Sequence, residues 1–478
     1  MVTGGRPLNG SVKIAAAKNS VLPLFAASLL CTGEVRLQAV PRLADVEHCM
    51  ALLRGVGCSA RWEDNDAVLS GPPANSTLPG QTAGQMRASI LFCAPLLARL
   101  GRAETSLPGG CRIGARPIDL HLAGLAKMGV VELEAGEGRL VLTAPSGLHG
   151  AEITLRFPSV GATETLLLAA ACAKGRTILR GAAREPEIAD LAAFLNRCGG
   201  CIEGAGSSTI RIEGRRGLSG CCFSPLPDRI FASTLACGCA AAGGRVELIG
   251  CAPALYAPVL EILGQMGCRV EPAGDTVRIS RFGRLHGAGR VFTGAYPALA
   301  TDAAPLLAAA MLCADSESSI EDVIFERRFG CAEGFCRLGA QAETAGRVLT
   351  IAPGGHLCGT VVEAPDLRGG AALVLAGLAA RGTTVITHPA HIDRGYAGFT
   401  EILAGLGAQI RRESAPGNGS AKKTSAKNKF VLQSGQKDDT IQLYKYSIEL
   451  FLCEKRRFTI TYPMEDKSYG THARRRNG

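Results

Sequence analysis

Aromatic side chains are scarce in this chain: one Trp, seven Tyr and fifteen Phe among 478 residues. Its apolar content is aliphatic. No uncharged apolar run reaches the roughly 20 residues a membrane span needs, and no secretory signal opens the sequence. A spanning helix is thereby excluded, and a cytoplasmic location is expected. Nineteen cysteines are scattered without a framework of spacings, so in that compartment they read as reduced thiols. Charge of one sign is also lacking in most of the chain. Residues 414–478 hold 13 Lys and Arg against 6 Asp and Glu, which leaves 39 against 36 for residues 1–413. The net +10 therefore belongs mostly to the tail, and the nearly neutral body argues against a nucleic-acid binder. A phosphate-binding P-loop and a dinucleotide fingerprint are both absent.

What is present is a repeat of about seventy residues. Apolar helix-like segments end in Gly57, Gly129, Gly199, Gly267, Gly339 and Gly407, separated by 72, 70, 68, 72 and 68 residues. Each glycine suits a helix C-terminus, where a left-handed conformation favours it. A strand, a polar turn and another strand follow most of them, as in 130–141 and 268–279. Between them recurs an apolar helix, a break and a strand, as in 24–37, 166–179 and 373–386. Each unit thus reads strand–helix–strand–helix–strand–strand. Six units are too many for one ordinary core, so three per domain is the natural division. Helices apolar nearly all round, such as 165–173 and 306–314, belong inside a wall of sheets.

The tail is different material. Residues 414–429 read as a Gly/Ser/Lys linker. Beyond it, 458–462 alternates like a strand and 440–452 fits either strand or helix. We expect an appendage.

Chemistry is signalled by charged islands at the strand–helix joints. The most informative is Pro108-Gly-Gly-Cys-Arg-Ile-Gly-Ala-Arg-Pro-Ile-Asp-Leu-His121. It sets the Cys111 thiol in a glycine-rich loop with Arg112 and Arg116, cations that stabilise thiolate and suit an anionic substrate. Others are Lys18-Asn19, Met86-Arg-Ala-Ser89, Ser159-Val-Gly161, Ala183-Arg-Glu-Pro-Glu187, Asp228-Arg229, Thr301-Asp302, Arg327-Arg328, Asp366-Leu-Arg368 and His391-Ile-Asp-Arg394. Any one of them alone reads as a helix cap or a surface ion pair. Their recurrence at corresponding joints raises the odds of a gathered cationic cleft for phosphate and carboxylate. Cys198-Gly-Gly-Cys201 has redox or zinc spacing, but it overlaps a repeat glycine and reads as small buried positions taken by cysteine. His388, His391 and Asp393 lack a further cluster at zinc spacing.

Nine of these islands occur in the order and spacing of one family. Over residues 1–413 the chain resembles the enolpyruvyl transferases, in the branch that acts on UDP-N-acetylglucosamine. The resemblance implies an α/β fold of two inside-out, barrel-like domains, each of three βαβαββ repeats with buried helices, plus the C-terminal appendage. Residues 1–18 and 228–413 would form one discontinuous domain, 19–227 a second carrying the Cys111 loop, and 414–478 a linker and basic tail. The implied reaction moves the enolpyruvyl group of phosphoenolpyruvate to the sugar 3-hydroxyl and releases phosphate. That is the first committed step towards peptidoglycan, hence cell-wall biogenesis, cell shape and division. No metal or other cofactor is implied, beyond a covalent phosphoenolpyruvate adduct on Cys111. Neither nucleic acid nor membrane is an implied partner, and no oligomeric state follows.

By motif match, Cys111 is the adduct-forming loop cysteine and Asp302 the carboxylate at the sugar hydroxyl, with Lys18 and Arg394 completing the catalytic set. Lys18, Asn19, Arg116, Arg328, Arg368 and Arg394 match the phosphoenolpyruvate site. Asn19, Arg87, Arg116, Pro117, Ile118, Asp119, Leu120, Phe157, Pro158, Ser159, Val160, Gly161, Asp302 and Ile324 match the nucleotide-sugar site. Asp366 and Leu367 match further active-site positions. The chain departs from the family at Ala15-Ala16, at Ala303-Ala304-Pro305, at Gly330-Cys331 and at Arg112, a position usually small or neutral. Arg112 is expected to lower the Cys111 pKa. Two other readings stand beside this one: the shikimate-pathway enolpyruvyl transferase, which lacks the Pro-Gly-Gly-Cys loop, and a non-catalytic relative acting through its tail.

Overall fold

The protein is described by a computed structural model that covers residues 1–107, 113–114, 117–136 and 138–413. Cys111, Arg112, Arg116 and the tail 414–478 lie outside the described residues.

All six repeat glycines are left-handed. Gly57, Gly129, Gly199, Gly267, Gly339 and Gly407 have φ between +91° and +101°, a region that costs a side chain with Cβ and costs glycine little. Each follows a helix: Ala44–Gly55, Asp119–Lys127, Pro186–Arg197, Ala257–Gln265, Ala332–Arg337 and Phe399–Gly405. Gly339 is doubly constrained, because a Cβ there would meet the His356 carbonyl oxygen at 2.4 Å.

Among the described residues, six separate sheets accompany the six repeats. Five have four strands and share one pattern: a parallel pair, then two antiparallel partners. In one of them Glu152–Thr154 runs parallel to Arg176–Arg180, which pairs antiparallel with Thr209–Glu213, and that strand with Ile202–Glu203. The remaining sheet has three strands, Arg102–Ser106, Arg139–Thr143 and Val131–Gly136. Its fourth strand is reduced to a parallel bridge between Thr77 and Glu104. Among the described residues the sheets stay open and separate, so the arrangement is a set of walls rather than a hydrogen-bonded barrel.

Inside the walls lie largely buried helices, as their apolarity predicts, although Cys93–Leu100 surfaces at its end, where Leu100 is 40% exposed. Lys18–Ser28, Cys93–Leu100 and Val160–Ala171 belong to a core drawn from residues 16–218. Arg229–Ala242, Ala304–Met311 and Leu367–Ala379 pack on one another in a second core, drawn from residues 2–14 and 230–410. Alanine and glycine let these helices approach closely: a Cβ on Gly238 of Arg229–Ala242 would stand 3.1 Å from Leu375 of Leu367–Ala379. The chain passes between the cores twice, and the two passages lie side by side. Ala17 N–H donates to the Leu226 carbonyl at 2.7 Å and Asp228 N–H to the Ala15 carbonyl at 2.9 Å.

Close to these passages, Arg229 of the second core holds Glu187 of the first through Nε (2.9 Å) and Nη2 (3.2 Å). Both side chains are buried, at 9% and 5% exposure. Removing one partner leaves a buried charge uncompensated, at a cost of about 3–5 kcal/mol. Arg229→Met is therefore expected to lower the urea midpoint sharply, and adding Glu187→Leu to recover most of the loss. Equal midpoints for wild type and the single variant would contradict this.

Candidate active site

Six of the islands legible in the sequence sit at or just before the N-terminal ends of the internal helices. Lys18 opens Lys18–Ser28, and Arg87 opens the 3-10 turn Arg87–Phe92 ahead of Cys93–Leu100. Ser159 caps Val160–Ala171, accepting from Ala162 N–H. Asp228 and Asp366 cap their helices, and Thr301–Ala303 leads into Ala304–Met311. Helix N-termini present unpaired N–H groups and a positive dipole end, which suit anionic ligands.

Two carboxylates organise the cations gathered here. The first is Asp45, in the first turn of Ala44–Gly55. It takes Lys18 Nζ at 2.7 Å and Arg394 Nε and Nη2 at 2.9 and 3.2 Å. Lys18 and Asp45 lie with the first core, whereas Arg394 ends the short helix Ala390–Asp393 of the second. Burial pushes the Lys18 amine down, and Asp45 opposes that shift. Burial pushes the Asp45 carboxyl up, but Lys18 and Arg394 outweigh it and hold the group low.

The second carboxylate is Asp302. Arg328 Nη2 donates to its Oδ1 at 2.9 Å, and Arg368 donates to Oδ2 from Nε at 3.1 Å, with Nη2 3.0 Å from the same oxygen. Arg328 also donates to the Thr301 carbonyl at 2.8 Å. Both arginines are buried, while the Asp302 side chain keeps 27% exposure. Burial by itself would raise its pKa, but Arg368 and then Arg328 hold it well below the usual carboxylate range. Arg368 lies 5.2 Å from the ring centroid of Tyr396, whose hydroxyl is 2.9 Å from Thr234 Oγ1. Asp302 and Asp366 look alike in sequence, each near a helix start. In the fold they differ: Asp366 spends its Oδ1 on the N–H groups of Arg368 and Gly369, whereas Asp302 caps nothing. Leu367 is buried.

The expected nucleotide-sugar residues of the first core come together on its surface. Arg87 Nη2 donates to the Pro117 carbonyl at 3.1 Å. Asp119 begins Asp119–Lys127 and pairs with Arg156; Ile118 and Leu120 pack on the core. The turn 157–161 stands beside that helix, since a Cβ on Gly161 would meet His121 Nε2 at 2.9 Å. Phe157 is 44% exposed and Pro158 half-buried. Ile324 belongs to the second core's side, with its N–H on Asp322 at 2.9 Å. Just beyond it, Arg327 N–H donates to the Ile113 carbonyl at 3.0 Å. The root of the cysteine loop thus rests against the opposite half. Asn19 is exposed at its helix start. Cys111 and Arg116, the remaining expected members, fall outside the described residues.

Sequence reasoning missed Asp45. Its only local signal was an acid in a helix first turn, which reads as a match to the dipole. Among the described residues no group of three or more His, Cys, Asp or Glu is placed to hold a metal ion. Cys198 Sγ instead lies 3.3 Å from Cys221 Sγ.

Comparison with known proteins adds an independent line. The family of EPSP synthase (3-phosphoshikimate 1-carboxyvinyltransferase) matches residues 2–403. The chain is 43% identical over 409 residues to a UDP-N-acetylglucosamine 1-carboxyvinyltransferase of Finegoldia magna, covering 85% of this chain and 96% of that one. It is 44% identical over 417 residues to the protein of that name from Solidesulfovibrio magneticus, covering 86% and 99%. Among solved structures, the enolpyruvyl transferase NikO from Streptomyces tendae superposes with a TM-score of 0.78 at 26% identity, covering 87% of this chain and 98% of that one. EPSP synthase from Acinetobacter baumannii superposes with a TM-score of 0.66 at 19% identity, covering 86% and 99%, a likeness of fold.

Proposed function

The chain belongs to the UDP-N-acetylglucosamine 1-carboxyvinyltransferase family of enolpyruvyl transferases, and from that premise we propose that it moves the enolpyruvyl group of phosphoenolpyruvate to the 3-hydroxyl of UDP-N-acetylglucosamine. The product would feed peptidoglycan precursor synthesis. The observation that carries the reading is the gathering of Lys18, Arg328, Arg368 and Arg394, from both cores, around two carboxylates. Both substrates are polyanions, so such a cluster suits binding them and stabilising the negative charge that develops during transfer.

In the reaction as proposed, the sugar 3-hydroxyl adds to C2 of phosphoenolpyruvate while a proton goes to its C3 methylene. The tetrahedral ketal then loses phosphate and a C3 proton, restoring the double bond. Asp302 takes the hydroxyl proton. Cys111 donates the proton to the methylene; in the covalent adduct its sulfur is added to C2 and the proton sits on C3, and that S–C2 bond breaks, returning phosphoenolpyruvate and thiol, before the sugar hydroxyl adds. Lys18, Arg116 and Arg394 hold phosphate and carboxylate, with Asn19, Arg328 and Arg368 beside them. Arg87, Arg116–Leu120, Phe157–Gly161 and Ile324 hold the nucleotide sugar, and Asp366 and Leu367 shape the floor. These protein cations supply the charge stabilisation, and the scheme calls on no metal or organic cofactor. Closure of the Cys111 loop would exclude water from the ketal. The branch is favoured over the shikimate one by relatives at 43–44% identity and by the Pro-Gly-Gly-Cys sequence. No helix among the described residues is long and apolar enough to cross a membrane.

A phosphate-release assay tests the reading. Full-length protein and a truncation after Glu413 should both release phosphate from phosphoenolpyruvate with UDP-N-acetylglucosamine and not with shikimate 3-phosphate. The reverse preference would overturn the assignment. Activity confined to the full chain would assign the tail a catalytic part.

A further inference from the structure

Asp45 lies outside every island that the sequence singled out, yet it joins two of the cations assigned to phosphoenolpyruvate. Its side chain is 2% exposed. Its Oδ2 meets Lys18 Nζ at 2.7 Å, and its two oxygens receive Arg394 through a fork at 2.9 and 3.2 Å. Arg394 is 349 residues away in sequence and belongs to the opposite core. A forked guanidinium–carboxylate pair fixes orientation as well as distance.

We propose that Asp45 is a positioning residue for enolpyruvyl transfer: it holds Lys18 as an ammonium ion and aims Arg394 across the divide at the same anion. The proposal rests on the reading that this cleft binds phosphoenolpyruvate.

The physical argument starts from Lys18. A buried amine tends to shed its proton, and a neutral amine gives phosphate no charge to bind. The groups facing Lys18 pull in opposite directions. Arg394 from Ala390–Asp393 and Arg368 from Leu367–Ala379 push the proton off, and Asp45 from Ala44–Gly55 holds it on. Asp302 also feels Lys18, but is itself held by two arginines. Asp228, whose Oδ2 accepts from Lys18 N–H at 3.4 Å, is committed to capping Arg229–Ala242. Cys49, one turn beyond Asp45, is a buried thiol whose pKa burial raises well above the ordinary value. His48 Nδ1 lies 3.9 Å from Asp45 Oδ1. Asp45 is thus the carboxylate in direct contact with the ammonium, and removing its charge must lower the Lys18 pKa further.

The sign of the effect follows. The rate constant kcat/KM for phosphoenolpyruvate falls on the alkaline side as Lys18 deprotonates, so Asp45→Asn should move that limb to lower pH by about one unit or more. At a pH above the displaced limb, kcat/KM for phosphoenolpyruvate should drop about tenfold or more, while KM for UDP-N-acetylglucosamine stays near wild type. Asp45→Glu, which restores the charge, should bring the limb back. A merely structural loss would lower the whole profile without moving the limb.

A second measurement does not depend on turnover. Competitive acetylation of full-length protein across a pH series, read at the Lys18 peptide by mass spectrometry, should show Lys18 titrating lower in Asp45→Asn than in wild type. Circular dichroism establishes that each variant is folded, and Asp45→Glu serves if the Asn variant is not. Coincident Lys18 titrations in wild type and the folded Asn variant would overturn the proposal. If wild type releases no phosphate, the enolpyruvyl reading fails, and the acetylation profiles still decide what Asp45 does to Lys18.

Discussion

Asp302→Asn is expected to lower kcat for phosphate release by about 10²–10⁴-fold, the range typical of losing a positioned general base. The amide keeps the shape of the carboxylate and removes its charge and basicity. UDP-N-acetylglucosamine binding, followed by calorimetry, should change far less than kcat. A variant with wild-type kcat would remove Asp302 from the chemistry. The contact geometry sharpens the expectation, because Asp302 is held low by Arg368 and Arg328 against the upward push of burial. A carboxylate in that state is a poor base. In the proposed scheme the anionic donor draws the two guanidinium groups away and raises that basicity, which would couple basicity to donor binding. The same shift carries a stability consequence. A depressed carboxylate contributes stability that is fully present above the ordinary Asp pKa of about 3.9 and is lost as pH falls through the lower folded value. In wild type this contribution should therefore persist to strongly acidic pH. Acid titration of the Asn variant should lack that part of the transition.

Cys111 is the second large effect. The epoxide antibiotic fosfomycin alkylates the loop cysteine of this family, so intact-mass analysis of wild type should show a single adduct. Cys111→Asp should take none, yet retain phosphate release, because a carboxylic acid can still donate a proton to the methylene. Adduct formation on the Asp variant would place the reactive thiol elsewhere, and absence of an adduct on wild type would count against the assignment. Buried thiols compete poorly, whereas Cys222, Cys336 and Cys358 are exposed, so peptide mapping has to place the adduct on Cys111. Burial raises Cys93 to about 12 and Cys172 to about 11, which leaves almost no thiolate near neutrality. If Arg112 favours the Cys111 thiolate, Arg112→Ala should shift the pH profile of labelling upward. An unchanged profile would exclude that role.

The features legible in the sequence were those with a local physical cause. The six glycines were readable because a left-handed helix end tolerates little else. The internal helices were readable because a segment apolar on every face has nowhere to go but inside. The joints were readable because charge next to glycine interrupts these apolar runs. Asp45 was not readable, since the partner that gives it meaning, Arg394, is brought to it by folding alone. Nor was the difference between Asp302 and Asp366, which share a local pattern and part company in tertiary contacts. The shortened edge strand at Thr77 was hidden for a similar reason. One bridge suffices there, and no composition marks it.

The paired passages between the cores carry a consequence for the chain as a polymer. Because Ala17 bonds to Leu226 and Ala15 to Asp228, the stretch from 17 to 227 starts and finishes at one point in space. It is a cassette. Excising it and splicing Ala16 to Asp228 would leave the other half with a continuous backbone, and the excised half would have adjoining ends ready for circularisation or permutation. The Arg229–Glu187 and Asp45–Arg394 pairs still join the two halves, so the gathering of cations requires both.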